Sequence, residues 1–481
     1  MKWLSLFILL IIVSSIGTAA DEVNLETALT HIKVLTDCAP RMTGSEAVDD
    51  SIIGGSYTAA LYIADTLRSY GYTVSIEEFP VTTFQITEFV LIIDFDGDFS
   101  TPDQLDLSDA CIPPRIRYLD ISHDVVAPLF FPEETNGEGI PIFDYWLYYD
   151  PEYSDVVGHT DIALVYKEGE PAFAYHFRET FSISYEDSRV IRDNWTPETV
   201  VWVKFSSHTQ EVKGYNVVGV SKGGENNVIL TAHYDTVYTD GAIDNGSGVA
   251  ALLETARILA DENPDATVYF VFLDGEELGL LGSEAFVEMH DLKPGVCINV
   301  DSIASGDTIY IGGVPRYEDV WAEYYRTDEN LDAYVTSIAE KILNYTPTTW
   351  YLEDAGGYSD FVTFMKEGIP STDITVMDKE ARQFPAVSEE KLSEHATMWV
   401  RGGRTVYYHE DRLSKVIPFI HTSFDDMDHV DTDVFYNAVK VTAESAYQLS
   451  VNGGEVESAY IVVVVVVAVS MCILWYVKKR R

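Results

Sequence analysis

Seven side chains of this 481-residue sequence are of the types, and lie at the spacings, that hold metal ions and move protons. His233 and Asp235 sit two apart in Thr231-Ala232-His233-Tyr234-Asp235, directly after an apolar run. Asp244 sits in Gly241-Ala242-Ile243-Asp244-Asn245-Gly246-Ser247-Gly248. Glu276 and Glu277 are neighbours in Asp274-Gly275-Glu276-Glu277-Leu278-Gly279, and Asp301 closes Asn299-Val300-Asp301. Each has an ordinary reading by itself. His-x-Asp is commonly a surface pair, Asp244 reads as a helix N-cap, the two Glu as complements to a helix dipole, and Asp301 as a strand-end turn residue. Together on one sheet edge, the carboxylates would repel strongly without a compensating cation. Histidine with carboxylates suits zinc, and several carboxylates suit a pair of metals sharing one bridge. The second histidine must come from elsewhere. His421, in Phe419-Ile420-His421-Thr422-Ser423-Phe424-Asp425, follows an apolar run and is chosen over His395, His409 and His429. As a lone histidine, it would more often be structural.

These residues need elements that end at one place. From Asn216 onward the texture is α/β. Val228–Tyr234, Thr267–Leu273 and Val296–Val300 read as buried strands, because short continuous apolar runs suit a sheet covered on both faces. Gly248–Ala260 and residues near 280–290 read as helices, and Asp433–Ser450 as the last helix. Each candidate then follows a strand's carboxyl end, the edge of an open α/β sheet where ligands collect. Tyr57–Tyr70 has helical spacing and Tyr72–Phe79 alternates like a strand. Between about 89 and 204 the pattern changes to aromatic-rich, short β-like runs (Val90–Phe95, Ile162–Tyr166, Thr199–Phe205) joined by Pro, Asp and Glu. That stretch reads as a β-rich inserted module. A polar segment at about 378–415 reads as a lid.

The order His233-x-Asp235, Asp244-Asn245-x-Ser247-Gly248, Glu276-Glu277-x-Gly279-x-x-Gly282-Ser283, Asn299-x-Asp301 and His421-Thr422 resembles the co-catalytic di-zinc peptidases, metallopeptidase family twenty-eight. That family includes secreted bacterial aminopeptidases, glutamate carboxypeptidase and glutaminyl cyclase relatives. The similarity extends to Pro40-Arg41-Met42-Thr43-Gly44-Ser45 and to Ser359-Asp360, where Phe361 replaces the His of many relatives. The resemblance implies an α/β fold with a mixed, largely parallel sheet sandwiched by helices, and two Zn2+ ions. It implies that His233 and Asp301 hold one zinc, that Glu277 and His421 hold the other, and that Asp244 bridges them. It further implies that Glu276 is the general base and that Asp235 orients His233. Adjacent side chains cannot easily occupy one position, so of Glu276 and Glu277 one reaches metal while the other faces the bound water.

Length, charge and the two chain ends bound the setting. Hydrophobic residues at 47% and charged residues at 23% indicate a globular chain of two or three domains. The net charge of -47 repels phosphate backbones and excludes a nucleic-acid partner. Residues 1–20 have the basic start, apolar stretch and small-residue end of a cleaved secretory signal. Ala459–Val477 carries no charge and reaches roughly 28 Å as a helix, about one hydrocarbon thickness. Trp475-Tyr476 and Lys478-Lys479-Arg480-Arg481 mark its inner boundary. Setting Lys2 and those four basic residues aside leaves -52 on 21–458, a surface suited to high salt. The expected layout is a signal (1–20), a discontinuous peptidase domain (21–88 and 205–452), the module (89–204), a transmembrane helix (459–477) and a cytoplasmic tail (478–481). The expected location is the cell membrane, with the catalytic domain outside and peptide as substrate. Cys38 and Cys111 are the cysteines that could pair there, and sequence leaves that bridge open.

Three function classes compete. The leading one is a membrane-anchored aminopeptidase, since an acidic site favours a free amine and no basic cluster for a carboxylate terminus is evident. A catalytically silent receptor-like ectodomain of the same fold would be expected to lack ligands, and none is missing. Carboxypeptidase or glutaminyl-cyclase-like activity is the remaining alternative.

Overall fold

The computed structural model describes residues 18–45, 55–114, 120–134, 137–145, 147, 161–174, 179–221, 223–315, 327–343, 345–352, 359–378, 397–401, 404–408 and 417–456. Its helices are α1 (Thr18–Asp21), α2 (Leu25–Thr36), α3 (Ser56–Ser69), α4 (Tyr185–Asn194), α5 (Ser247–Leu259), α6 (Leu281–Met289), α7 (Glu329–Leu343), α8 (Phe361–Lys366) and α9 (Thr432–Val451). Strands run in the order β1 (Thr73–Asp94), β2 (Gln104–Asp106), β3 (Ile121–Phe130), β4 (Ile140–Asp144), β5 (Ile162–Tyr166), β6 (Glu179–Ser182), β7 (Val200–Ser221), β8 (Asn227–His233) and β9 (Thr267–Leu273). They continue with β10 (Gly295–Val300), β11 (Thr308–Pro315), β12 (Thr348–Leu352) and β13 (Ser371–Met377), and β14 (Thr397–Arg401) pairs with β15 (Arg404–Tyr408) as a separate hairpin.

The centre of the main sheet is parallel. β13, β10, β8 and β9 pair in that order, with β11 antiparallel against β13 and β7 antiparallel against β9. Alternation along each strand divides its side chains between two cores. Val228, Leu230, Val268, Phe270 and Phe272 face a cluster with Ile32, Ile63, Leu252 and Phe435, from α2, α3, α5 and α9. Ile229, Val271 and Leu273 face a smaller cluster with Phe286 of α6 and Phe364 of α8. With both faces covered, every β8 residue is buried. Each such aliphatic side chain contributes about 1.5–3 kcal/mol over leaving it in water. The result is a mixed α/β fold with a largely parallel sheet.

The β-rich stretch differs from expectation at its edges. It has its own core, in which Leu91, Ile93, Ile142, Leu164, Phe181, Val201, Val203 and Phe205 pack together. Yet no linker separates it from the α/β part. β1 and β7 pair antiparallel from Thr73↔Val220 to Asp94↔Val200, with an irregularity between Ile86 and Glu88, so one two-stranded ribbon serves both cores. β3 pairs with the outer half of β7, and β4, β5 and β6 continue in parallel. The short β-like runs expected at Val90–Phe95 and Thr199–Phe205 are parts of these long strands.

Other expectations at the chain ends and loops meet the described residues only in part. Residues 1–17 of the expected signal, the expected span 459–477 and tail 478–481, and most of the expected lid lie outside them. Thr18–Ala20, the end of the expected signal, belong to α1. Ala19 and Ala20 are buried there, and the Ala20 N–H donates to Glu444 Oε2 at 3.1 Å. Among the described residues no helix is long and apolar enough to cross a membrane. Cys38 and Cys111 are both buried free thiols.

Candidate metal centre

The carboxyl ends of β8, β9 and β10 bring the acidic and imidazole groups to one edge. His233 ends β8 with its side chain 1% exposed. Its Nδ1 donates to the Asp235 carbonyl at 3.1 Å, leaving Nε2 to face Asp244 Oδ1 at 3.1 Å and Asp301 Oδ1 at 3.4 Å. Asp301 follows β10 directly. On the other side, His421 Nε2 lies 3.1 Å from Asp244 Oδ2 and 3.0 Å from Glu277 Oε1. Asp244 therefore shows one oxygen to each histidine. Two groups result, His233–Asp244–Asp301 and Asp244–Glu277–His421, whose donor atoms lie within 4.8 Å of one another in each.

These distances suit donors that share a zinc ion. Two ligands about 2.0–2.1 Å from one tetrahedral ion lie about 3.3 Å apart, close to the 3.0–3.4 Å separations found here. The nitrogen and carboxylate-oxygen donor set is of the zinc type.

The ordinary readings of these residues fail on local structure. Asp244 does not cap α5, whose N-cap position is Gly246 without a side-chain bond. Glu276 and Glu277 precede α6, which begins at Leu281. Both belong to a turn whose N–H groups donate to Asp235, from Glu276 to Oδ1 at 3.1 Å and from Glu277 to Oδ2 at 3.2 Å. Thr43 Oγ1 also donates to Asp235 Oδ2 at 3.2 Å. The Asp235 carboxylate thus orients the glutamate turn, while its carbonyl orients His233.

The Asp244 turn is tied down by its neighbours. Asn245 Nδ2 donates to the Val300 carbonyl at 2.9 Å, and Asn245 Oδ1 accepts from Gly248 and Ser302. A Cβ at Gly248 would sit 2.4 Å from the Val300 oxygen, so close approach of α5 to β10 demands glycine there. Asp425 Oδ1 accepts from the Ile243 and Asp244 N–H groups, linking this turn to the His421 loop. Non-glycine residues with positive φ cluster here: Leu280 (65°), Ser302 (53°), Phe419 (73°) and His421 (55°). Such conformations persist where surrounding structure over-determines them, commonly at functional sites.

The electrostatics follow from crowding. Burial opposes charge on His233, yet Asp301, Asp235 and Asp244 outweigh it and raise its pKa well above the ordinary value. Burial likewise opposes charge on His421, and Glu277 and Asp244 raise it. Asp244 is held far below the usual carboxylate range against its burial, by hydrogen bonds and attraction from His233 and His421. Burial pushes the Glu276 carboxyl well above that range; His233 opposes the rise, and Glu277, Asp360 and Asp301 add to it. Asp360 is pushed to about 7, mainly by burial. Neither of its oxygens has a hydrogen-bond partner among the described residues.

Other residues of the quoted motifs act by holding the candidate donors in place. Ser359 Oγ donates to Asp301 Oδ2 at 2.7 Å and accepts from Asn299 Nδ2 at 2.9 Å. Asn299 also bonds Asp373 and Thr231. The Ser359-Asp360 segment therefore contributes by orienting Asp301, with or without a following His. Arg41, fully buried, gives its donors to the carbonyls of Leu35, Tyr234, Asp240 and Gly241. Of the rival histidines, His429 pairs with Asp426 at 2.8 Å, while His395 and His409 lie outside the described residues.

A cleft opens beside Glu277 and Asp235, walled by Met42, Phe84, Ile112, Pro113 and Leu278. No basic residue lines it among the described residues.

Residues 216–446, which contain all seven site residues, match the sequence profile of Peptidase family M28. The chain carries an M28 peptidase domain. That family is one of metallopeptidases, and the relatives of this domain include aminopeptidases. It is 26% identical over 449 residues to a probable lipoprotein aminopeptidase, LpqL, of Mycobacterium tuberculosis, covering 85% of this chain and 82% of that protein. It is 31% identical over 205 residues to aminopeptidase YwaD of Bacillus subtilis, covering 39% of this chain and 41% of that protein. The fold outside the M28 match has a counterpart too. The solved zinc aminopeptidase BSAP of Bacillus subtilis superposes with a TM-score of 0.57 at 18% identity, over 88% of this chain and 94% of that one. An aminopeptidase from an Aneurinibacillus strain gives 0.53 at 18% identity, over 92% and 97%.

Proposed function

We propose that the protein is a membrane-anchored exopeptidase that works outside the cell and removes N-terminal residues from peptides, using two zinc ions. The observation that carries this reading is Asp244, whose two carboxylate oxygens each face a different histidine. In this reading His233 and Asp301 hold one ion, Glu277 and His421 hold the other, and Asp244 serves both. Zinc bound there supplies the charge that lowers the pKa of a water towards neutral and polarises a peptide carbonyl.

The rest falls to the chain's own groups. Glu276, next to Glu277 on the Asp235-oriented turn, takes the water's proton on its carboxylate and returns it to the leaving amine nitrogen. Asp235 keeps His233 in the tautomer that leaves Nε2 available to metal.

Charge favours the amino end of a peptide. The cleft has no basic residue among the described ones to receive a carboxylate terminus. Arg41, the cation next to it, is fully buried and spends its donors on backbone carbonyls, so it offers nothing to a substrate carboxylate. The membrane placement rests on the uncharged Ala459–Val477 stretch and its basic end, and the name of the mycobacterial relative, a probable lipoprotein aminopeptidase, agrees with it. A peptide-library digest read by mass spectrometry, with and without chelator, tests the activity. Loss of single residues from the amino end, stopped by chelator, is expected. Shortening from the carboxyl end, or none by zinc-loaded protein, would overturn the reading.

A further inference from the structure

The loop that carries His421 is held from an unexpected direction. Phe419 and His421 both have left-handed φ angles, so the loop's own conformational preferences do not favour its shape. Two hydrogen bonds from the β-rich segment hold its backbone. The Ala174 N–H donates to the His421 carbonyl at 2.7 Å, and the Ser423 N–H donates to the Ala172 carbonyl at 2.8 Å. Together they close an isolated antiparallel bridge between Phe173 and Thr422.

The bracing strand is itself anchored. Phe173 is 6% exposed and packs with Phe143, Tyr145, Ala163 and Val165 of the β-rich segment. Its ring meets Tyr145 edge-on at 5.9 Å, Lys167 Nζ lies 4.3 Å from its centre, and its N–H donates to Ser182 Oγ at 3.0 Å. A continuous path of packing and hydrogen bonds thus runs from the core of that segment, through Phe173 and Ala174, to the backbone of His421. On its far side the loop is tied to the Asp244 turn through Asp425.

We propose that Phe173 and Ala174 are positioning residues for His421, through which the β-rich segment sets the zinc affinity of the Glu277–His421 group. The proposal rests on reading His421 as a zinc ligand. A donor held in place before the ion arrives loses little freedom on binding, whereas one on a released loop must be ordered by the ion. The His233–Asp301 group, built on strand ends, has no such dependence.

Zinc titration of the full chain against a competing fluorescent chelator, which reads each binding step, tests this. Ala174→Pro lacks the N–H donor, and Phe173→Ala empties the anchor. Each is expected to weaken one step about 10- to 100-fold, the scale for losing a ligand-orienting partner, and to leave the other unchanged. Ala174→Gly keeps the donor and Phe173→Leu refills the pocket, so both are expected to bind like the parent chain. Unchanged affinities in Ala174→Pro and Phe173→Ala overturn the proposal. A parent chain that binds no zinc overturns instead the reading of the site. If a variant loses both steps through misfolding, hydrogen exchange on the parent chain decides. The Ala174 and Ser423 amides are expected to slow on zinc loading, and equal rates in the two states sink the idea.

Discussion

The two halves of the candidate metal centre share Asp244 and are built in opposite ways. His233 and Asp301 stand at the ends of β8 and β10, which pair in parallel from Gly295↔Asn227 to Asn299↔Thr231. The ladder fixes their relative position, and His233 is 1% exposed. Glu277 and His421 come from a turn and a loop, and the His421 side chain is 37% exposed. Their positions depend on a few specific bonds, to Asp235 on one side and from Ala174 on the other. Donors fixed by a sheet arrive preorganised, and donors fixed by loops can be loosened one bond at a time. The strand-built half is therefore expected to bind the first zinc and the loop-built half the second.

The largest effect should come from the residue the halves share. Asp244→Ala removes a donor from both groups, so both zinc steps should weaken, as measured by elemental analysis after dialysis. Peptide hydrolysis should fall by more than about four powers of ten, beyond the loss of a single acid–base group. A variant that keeps one tightly held zinc would show that the halves are more independent than the geometry implies.

Glu276→Gln should leave both halves intact. Zinc content is expected to match the parent chain, while kcat falls by roughly two to four powers of ten. Full activity in this variant would move the role of base to another carboxyl, such as the buried Asp360.

Ser359→Ala sharpens the contrast from the strand-built side. The serine donates to Asp301 Oδ2 at 2.7 Å. Its loss should weaken the His233–Asp301 step about 10-fold or more, the low end of the scale for a ligand-orienting partner, because the sheet still holds both ligands. The Glu277–His421 step should not move. Equal loss at both steps in chelator competition would mean that the halves do not act separately.

What could be read from the sequence follows the same division. Thr267–Leu273 was legible because seven residues of mostly β-branched and aromatic type run without a break, and β9 has those bounds. His233, Glu276, Glu277 and Asp301 stood out because each lies at or just past the end of such a run, and Asp244 because it precedes a helix. Bonds between distant backbone groups leave no spacing to find. Nothing in Ala172-Phe173-Ala174 marks it as a partner of His421, and nothing in Ser359 marks it as a partner of Asp301. The continuous β1–β7 ribbon was missed for a related reason. Its burial alternates toward two different cores, so no single period runs along either strand.

A pH series asks whether a disturbance below the shared ligand reaches both halves alike. His31 lies on α2 and is 6% exposed, with Nδ1 2.6 Å from the Tyr62 hydroxyl and Nε2 without a partner among the described residues. Burial lowers its pKa from 6.5 to about 4, against the attraction of Glu254. The unfolded chain therefore binds this proton at a higher pH than the folded one does. The stability from keeping His31 neutral is fully present above about pH 6.5 and is lost as pH falls towards 4, up to about 3 kcal/mol. Ile32 of the same helix lies beneath the Asp244 turn, 3.6 Å from where a Gly246 Cβ would be. The Tm of the metal-free chain should fall across that window, and His31→Phe should flatten the fall. A slope unchanged by His31→Phe would assign the acid sensitivity to other groups. Zinc binding should weaken at both steps as pH falls because protons compete for the histidine and carboxylate donors, and His31→Phe should lessen that fall equally at both steps if α2 carries the disturbance to Asp244.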